Sequence, residues 1–238
     1  MTNHLHPWTP ALAAFALLAP APSFAAAGPP TAPAAHAPAR TSSPADPVHL
    51  PLLAAVERLS VAPEHRDGYQ RGLYKHWNRG LDPHDGCNTR KEVIIAEAAE
   101  APHITAGCKL TGGTWHSAYD HATVHDAARL DVDHFVPLAE VHDSEQTPWS
   151  PARREAYAND QTSPDTLIAV TAASNRSKAD KDPAQWMPTD HSYHCTYTAT
   201  WVATKLRWDL AADPAEADAL HKLATHCPTT TVHYPPAP

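Results

Sequence analysis

Two short apolar runs, each broken off by polar residues, constrain this chain more than any other feature. In LDVDHFVPLAE, residues 130–140, an apolar run carrying Asp131, Asp133 and His134 meets Pro137 and a helix-forming stretch. In TLIAVTAASNRSKADKDP, 166–183, four apolar residues (167–170) give way to AASNRSKAD. Runs this short, bounded by polar residues and rich in Val and Ile, read as buried strands rather than helices. Each therefore ends in a strand-to-helix turn. Asp131, Asp133 and His134 fall at the end of the first strand, and Asp131 shares a strand face with Asp133. Asn175, Arg176, Lys178 and Lys181 belong to the short helix that leaves the second.

The surrounding sequence supplies helices and short β-pieces. PLLAAVERL (51–59) reads as a helix with Pro51 in its first turn, and EHRDGYQRGLYKHW (64–77) as another. Asp82-Pro83-His84-Asp85-Gly86 is turn chemistry. Asn88 or Thr89 caps a helix through RKEVIIAEAAE, and Ser150-Pro151 opens one through ARREAYAND. From Cys108 the chain turns to β-prone pieces, with Gly112-Gly113 as a turn or bulge. YTATWVATKLRWDL and the segment from Pro214 to His226 read as helices, with Trp201, Lys205 and Trp208 on a core-facing stripe. The sum is one α+β domain over 48–228, followed by a flexible tail, 229–238.

The N-terminus has a different character. Residues 8–27, WTPALAAFALLAPAPSFAAA, combine an apolar run with a small-residue exit, so 1–27 reads as a secretory signal peptide, although no Lys or Arg leads it. A disordered Ala/Pro tail is the competing reading. Residues 28–47 form a Pro/Ala-rich linker. No stretch has 18 continuous strongly apolar residues, so no stable membrane span is expected. Cys87, Cys108, Cys195 and Cys227 suit an exported, oxidised chain. Three connectivities exist, and pairing within each neighbouring couple is favoured because each bridge then ties one helical segment. A zinc site using His191, His194 and His226 beside Cys195 and Cys227 is the rival, but neither pair has CxxC spacing.

Charge narrows the function. The formal net charge is −8, which excludes a protein that coats nucleic acid by bulk positive charge. It does not exclude an enzyme whose metal site needs carboxylates.

The two blocks around 131–141 and 167–188 together resemble the HNH, or ββα-metal, endonucleases. They resemble most closely secreted proteins related to the C-terminal nuclease domain of GmrSD-type restriction enzymes. GYQRGLYKHW, DGCNTRKEV, GGTWHSAYD and the C-terminal tryptophan helix extend the likeness. The resemblance implies a ββα-metal core with short antiparallel strands surrounded by helices. It implies His134 as general base and Asp133 and Asn175 as ligands of one Mg²⁺ or Mn²⁺, with Zn²⁺ the poorer fit to oxygen donors. Arg176, Lys178 and Lys181 become phosphate contacts. Where many relatives carry a middle-strand Asn, this chain has Thr166 beside Asp165, a departure at the residue expected to orient the histidine.

The chemistry is coherent: a neutral imidazole deprotonates water, and a hard cation stabilises charge on the phosphate. Asp131 reads equally as an outer ligand or an arginine partner. Arg90 and Glu92 read as a buried supporting pair or a solvated helix face. His121 and His125 read as structural, and Asp82 and Asp85 offer too few ligands for a calcium loop. The implied function is a secreted endonuclease acting on DNA with low sequence specificity, RNA remaining open as substrate. The alternatives are a zinc-dependent cell-wall hydrolase and a non-catalytic, disulfide-stapled binding module.

Overall fold

A computed structural model describes residues 47–238. The signal-peptide and linker readings lie outside the described residues, except for Pro47. Among the described residues are seven α-helices and eight short strands, all paired two by two and antiparallel, so the fold is mixed α+β. The pair that carries Asp131, Asp133 and His134 is β6 (Leu130–His134) with β7 (Leu167–Thr171), in register from Leu130↔Thr171 to His134↔Leu167.

Both strands form because alternate residues have an apolar surface to bury. Leu130, Val132, Leu167 and Ala169 join Val93 and Ile94 of α2 (Thr89–Ala96) and Trp115 of β4 (Trp115–Ser117) in one apolar cluster. β7 runs directly into α5 (Ala172–Lys178), whose first turn is capped by Thr171 Oγ1 accepting from Ser174 N–H. The helix folds back over β6. The result is a strand–strand–helix unit with the acidic face of β6 beneath α5.

A larger apolar cluster supports that unit. It joins α1 (Leu52–Val56), α3 (Leu138–Ser144), α4 (Pro151–Ala158), α6 (His194–Trp208) and α7 (Pro214–Thr225). Trp201, Lys205 and Trp208 are fully buried, as the apolar stripe predicts. Lys205 is sustained there by Glu140 at 2.8 Å and Glu216 at 2.6 Å. Asn88 and Ser150 cap α2 and α4. The remaining strands make two hairpins: β2 (His103–Thr105) with β3 (Lys109–Thr111), and β4 with β5 (Ala122–Val124). Disulfides join Cys87 to Cys108 and Cys195 to Cys227, the local pairing.

Two expectations need correction. Residues 64–77 are not a helix: they carry one 3-10 turn, Arg71–Leu73, because Gly68 takes a φ of +79°, which ends any helical run. The tail is not free beyond 228. Thr231–Tyr234 is strand β8, paired with β1 (Val48–Pro51), burying Val232, and Arg207 donates to the carbonyls of Pro235 and Pro236. No local pattern in so short a proline-flanked segment reveals a partner strand 180 residues upstream.

Candidate active site

A cleft of about 440 Å³ opens where β6, α5 and the 69–71 segment meet, and its lining includes Tyr69, Arg71, Asp133, His134, Asn175 and Arg176. His134 ends β6 and is almost fully buried. Its ring stacks on Trp77, centroids 5.3 Å apart, with Tyr157 at 6.1 Å. Its Nε2 lies 3.0 Å from the Ala158 carbonyl. Ala158 is the last residue of α4, where a carbonyl has no partner inside its own helix. A carbonyl only accepts, so Nε2 carries the proton and Nδ1 keeps its lone pair. Nδ1 has no partner among the described residues and is not sealed from the cleft. Burial lowers the imidazole pKa to about 3, the bond to Ala158 opposing it, so the ring is neutral at physiological pH.

The acidic face of β6 meets α5 residue by residue. Asn175 and Lys178, one turn apart, lie over Asp131 and Asp133. Asn175 Nδ2 donates to Asp131 Oδ2 at 3.3 Å, leaving the amide oxygen free. Asp133 Oδ2 accepts from Tyr119 hydroxyl and from Lys178 Nζ, both at 2.7 Å. Asp133 Oδ1 has no donor among the described residues and is not sealed from solvent. Burial raises the Asp133 pKa and lowers that of Lys178, while each charge counters the shift of the other. At 2.7 Å and in this seclusion they form an ion pair.

The donors fit a hard divalent cation: Asp133 presents one fixed, unpartnered carboxylate oxygen, and Asn175 a free amide oxygen from the facing helix. Asp131 stands beside them. Its neighbours are Arg90 Nη2 at 3.9 Å and Arg176 Nε at 4.0 Å, so it is at least an arginine partner.

Several expected supports act elsewhere. Lys178 is completely buried against Asp133 and also donates to the His134 carbonyl at 3.2 Å; it is not a phosphate contact. Thr166 donates to Asp160, and Asp165 lies near Thr200 and His233; neither side chain orients His134, a task the Ala158 carbonyl performs. Arg90 and Glu92 do not pair. Arg90 donates to the Leu130 carbonyl at 2.6 Å, whereas Glu92 accepts from the N–H groups of Leu81 and Asp82. The Glu92 carboxylate fills the space a Cβ on Gly80 would take. Lys181 Nζ turns back to the Ser177 carbonyl. Arg71, Tyr119 and Trp77 were not assigned from sequence, although all three fall within the blocks carrying the resemblance.

Comparison with known proteins now bears on this geometry. The family described as GmrSD restriction endonucleases, C-terminal domain, matches residues 89–223, which contain β6, β7 and α5. The chain belongs to this family. A GmrSD C-terminal domain supports a nuclease-like function of the HNH endonuclease kind, and a nucleic acid as substrate. The chain is also 36% identical over 170 residues to an "Uncharacterized secreted protein" of Arthroderma benhamiae, covering 71% of this chain and 81% of that one. No solved structure matches. No helix among the described residues is long and apolar enough to cross a membrane.

Proposed function

We propose that this GmrSD-family domain is a secreted, metal-dependent HNH endonuclease that hydrolyses DNA with little sequence preference. One observation carries the reading: His134 donates Nε2–H to the Ala158 carbonyl, which leaves the Nδ1 lone pair for the cleft that Asp133 and Asn175 also line. In this reading β6, β7 and α5 are the ββα-metal core.

His134 Nδ1 takes a proton from the attacking water, and the Ala158 carbonyl steadies the ring as positive charge develops. Asp133, fixed by Tyr119 and Lys178, and Asn175 hold Mg²⁺ or Mn²⁺. When bound, the ion supplies Lewis-acid stabilisation to the scissile phosphate. Arg176, with 76% of its side chain exposed, and Arg71 across the cleft contact phosphate oxygens. Few cationic groups on an acidic chain favour local backbone contact over extended sequence readout. Export fits the leader-like N-terminus, both disulfides and the name of the fungal relative.

The test is a supercoiled-plasmid assay with Mg²⁺ or Mn²⁺, disulfides intact. Nicking should disappear with EDTA and in His134→Ala, and Asp133→Asn should lose metal-dependent activity. No cleavage by folded, metal-supplemented wild type, or full cleavage by His134→Ala, overturns the reading.

A further inference from the structure

A second groove, of about 330 Å³, opens between β5, the 3-10 turn Ala127–Arg129 and the start of α5. Arg176 lines both this groove and the His134 cleft, so the two adjoin at its side chain. The new groove adds Arg129. In a chain with 26 Asp and Glu residues, none of the groove's lining residues is acidic. Apart from the two arginines they are Ala, Thr and Val.

The backbone of Arg129 is fixed from both sides. Ala127 is buried in the apolar cluster that holds β6 and β7, and Asp126 Oδ1 accepts from Ala128 N–H at 2.9 Å. On the far side, Arg90 donates to the Leu130 carbonyl at 2.6 Å. Arg129 itself is exposed, and no carboxylate among the described residues is within ion-pair reach of its side chain. Arg90 and Arg176, by contrast, share Asp131 at 3.9 and 4.0 Å. The Arg176 contact is long, and 76% of that side chain is exposed, so water screens it and the guanidinium stays available. The Asp120 carboxylate, next to the groove through Thr171, is occupied by the hydroxyls of Thr171 and Ser174.

These cations follow β6. Arg129 directly precedes its first residue, Arg176 reaches Asp131 near the middle of its face, and His134 is its last residue. Five strand residues at about 3.3 Å each separate Arg129 from His134 by roughly 16 Å. A duplex rises about 3.4 Å per step, so that separation corresponds to about five steps of one strand. Planar guanidinium forks match phosphate oxygens, and two of them on a wall without carboxylates suit an anionic chain.

We propose that this groove is a second backbone subsite, in which Arg129, together with Arg176, holds a phosphate of the nucleic-acid strand several steps from the scissile one. The proposal rests on the nuclease reading for the placement of the strand across the His134 cleft. The contact is to the phosphodiester backbone, so it lengthens the footprint without reading sequence.

The experiment measures binding of the full disulfide-bonded chain to a fluorescein-labelled 20-base-pair duplex by fluorescence anisotropy. EDTA is present so that no strand is cut, and NaCl is varied. Arg129→Gln should weaken binding about three- to tenfold, equally on two duplexes of unrelated sequence, and lower the slope of log K against log salt by about 0.9. Arg129→Lys keeps the charge and should keep most of the slope. Lys222→Gln removes the same charge from exposed α7, away from both grooves, and should bind as wild type does. Arg129→Gln should melt at the wild-type temperature, which separates lost contact from lost fold. Wild-type affinity and slope in Arg129→Gln, an equal loss in Lys222→Gln, or no duplex binding by wild type each overturn the proposal. Plasmid nicking by wild type alongside unchanged binding by Arg129→Gln would sink the subsite and spare the nuclease. Weakened binding by Arg129→Gln without any nicking by wild type would sink the nuclease and keep the subsite as a nucleic-acid contact.

Discussion

Lys178 shows how one side chain's meaning depends on its surroundings. In sequence it is one cation among Arg176, Lys178 and Lys181 beside a substrate cleft. In the fold it is buried under α5 and fixes Asp133 together with Tyr119. Lys178→Met should therefore destabilise the domain by about 3–5 kcal/mol, because an unpaired buried carboxylate remains; urea unfolding measures it. A phosphate-contact role would instead leave stability unchanged and flatten the salt dependence of DNA binding. Tyr119→Phe removes a neutral hydroxyl from the same oxygen, a milder change of about 1 kcal/mol. It should lower cleavage while preserving the fold seen by circular dichroism. That His134, Asp133 and Asn175 share one cleft was legible from their order at the two strand-to-helix turns. The Ala158 carbonyl that orients His134 was not, since a backbone group has no sequence signature.

Among the elements, β6, β7 and α5 followed their local pattern closely, as did the caps at Asn88 and Ser150. Strand alternation, a side-chain cap and a short apolar run are all local properties, so these elements are readable in isolation. Residues 64–77 were not, because a helical pattern of residue types lost to the Gly68 turn and to tertiary contacts such as Arg66 with Asp143. The contact between α2 and β7 is a further tertiary matter. Glu97, the C-cap of α2, accepts from the Ala169 N–H of β7 at 2.9 Å, and burial raises its pKa from 4.5 to about 7 against that hydrogen bond. The folded chain thus keeps a proton there that the unfolded chain releases between those values. Stability contributed by this group is complete below pH 4.5 and is lost as pH rises toward 7. Glu97→Gln keeps an acceptor and abolishes the titration. Its melting temperature should exceed that of wild type at pH 8, and the gap should close by pH 4; a constant gap would refute the assignment.

Across the molecule, the two ends of the described chain support each other. β1 and β8 pair in full register, and Val232 enters the main core. Truncation after Pro228 should strip this strand, expose apolar surface and remove two acceptors from Arg207, lowering the melting temperature by several degrees in a thermal scan. An unchanged melting temperature would restore the tail to a dispensable role. The Cys195–Cys227 bridge closes a 32-residue separation between α6 and the end of α7. Its loss by paired Cys→Ser substitution should cost about 3–4 kcal/mol in denaturant unfolding, from the greater entropy of the unfolded chain.

Local order of residue types was enough to establish the α+β class, the strand-to-helix turns around His134 and Asn175, and the kinship those blocks imply. These depend on neighbours a few positions apart, where periodicity and capping act. Which lysine is buried, which carbonyl holds the histidine, and where the final strand docks depended on contacts between 24 and 186 residues apart. Such contacts follow from how packed elements exclude water, and that balance is set only when the whole core closes.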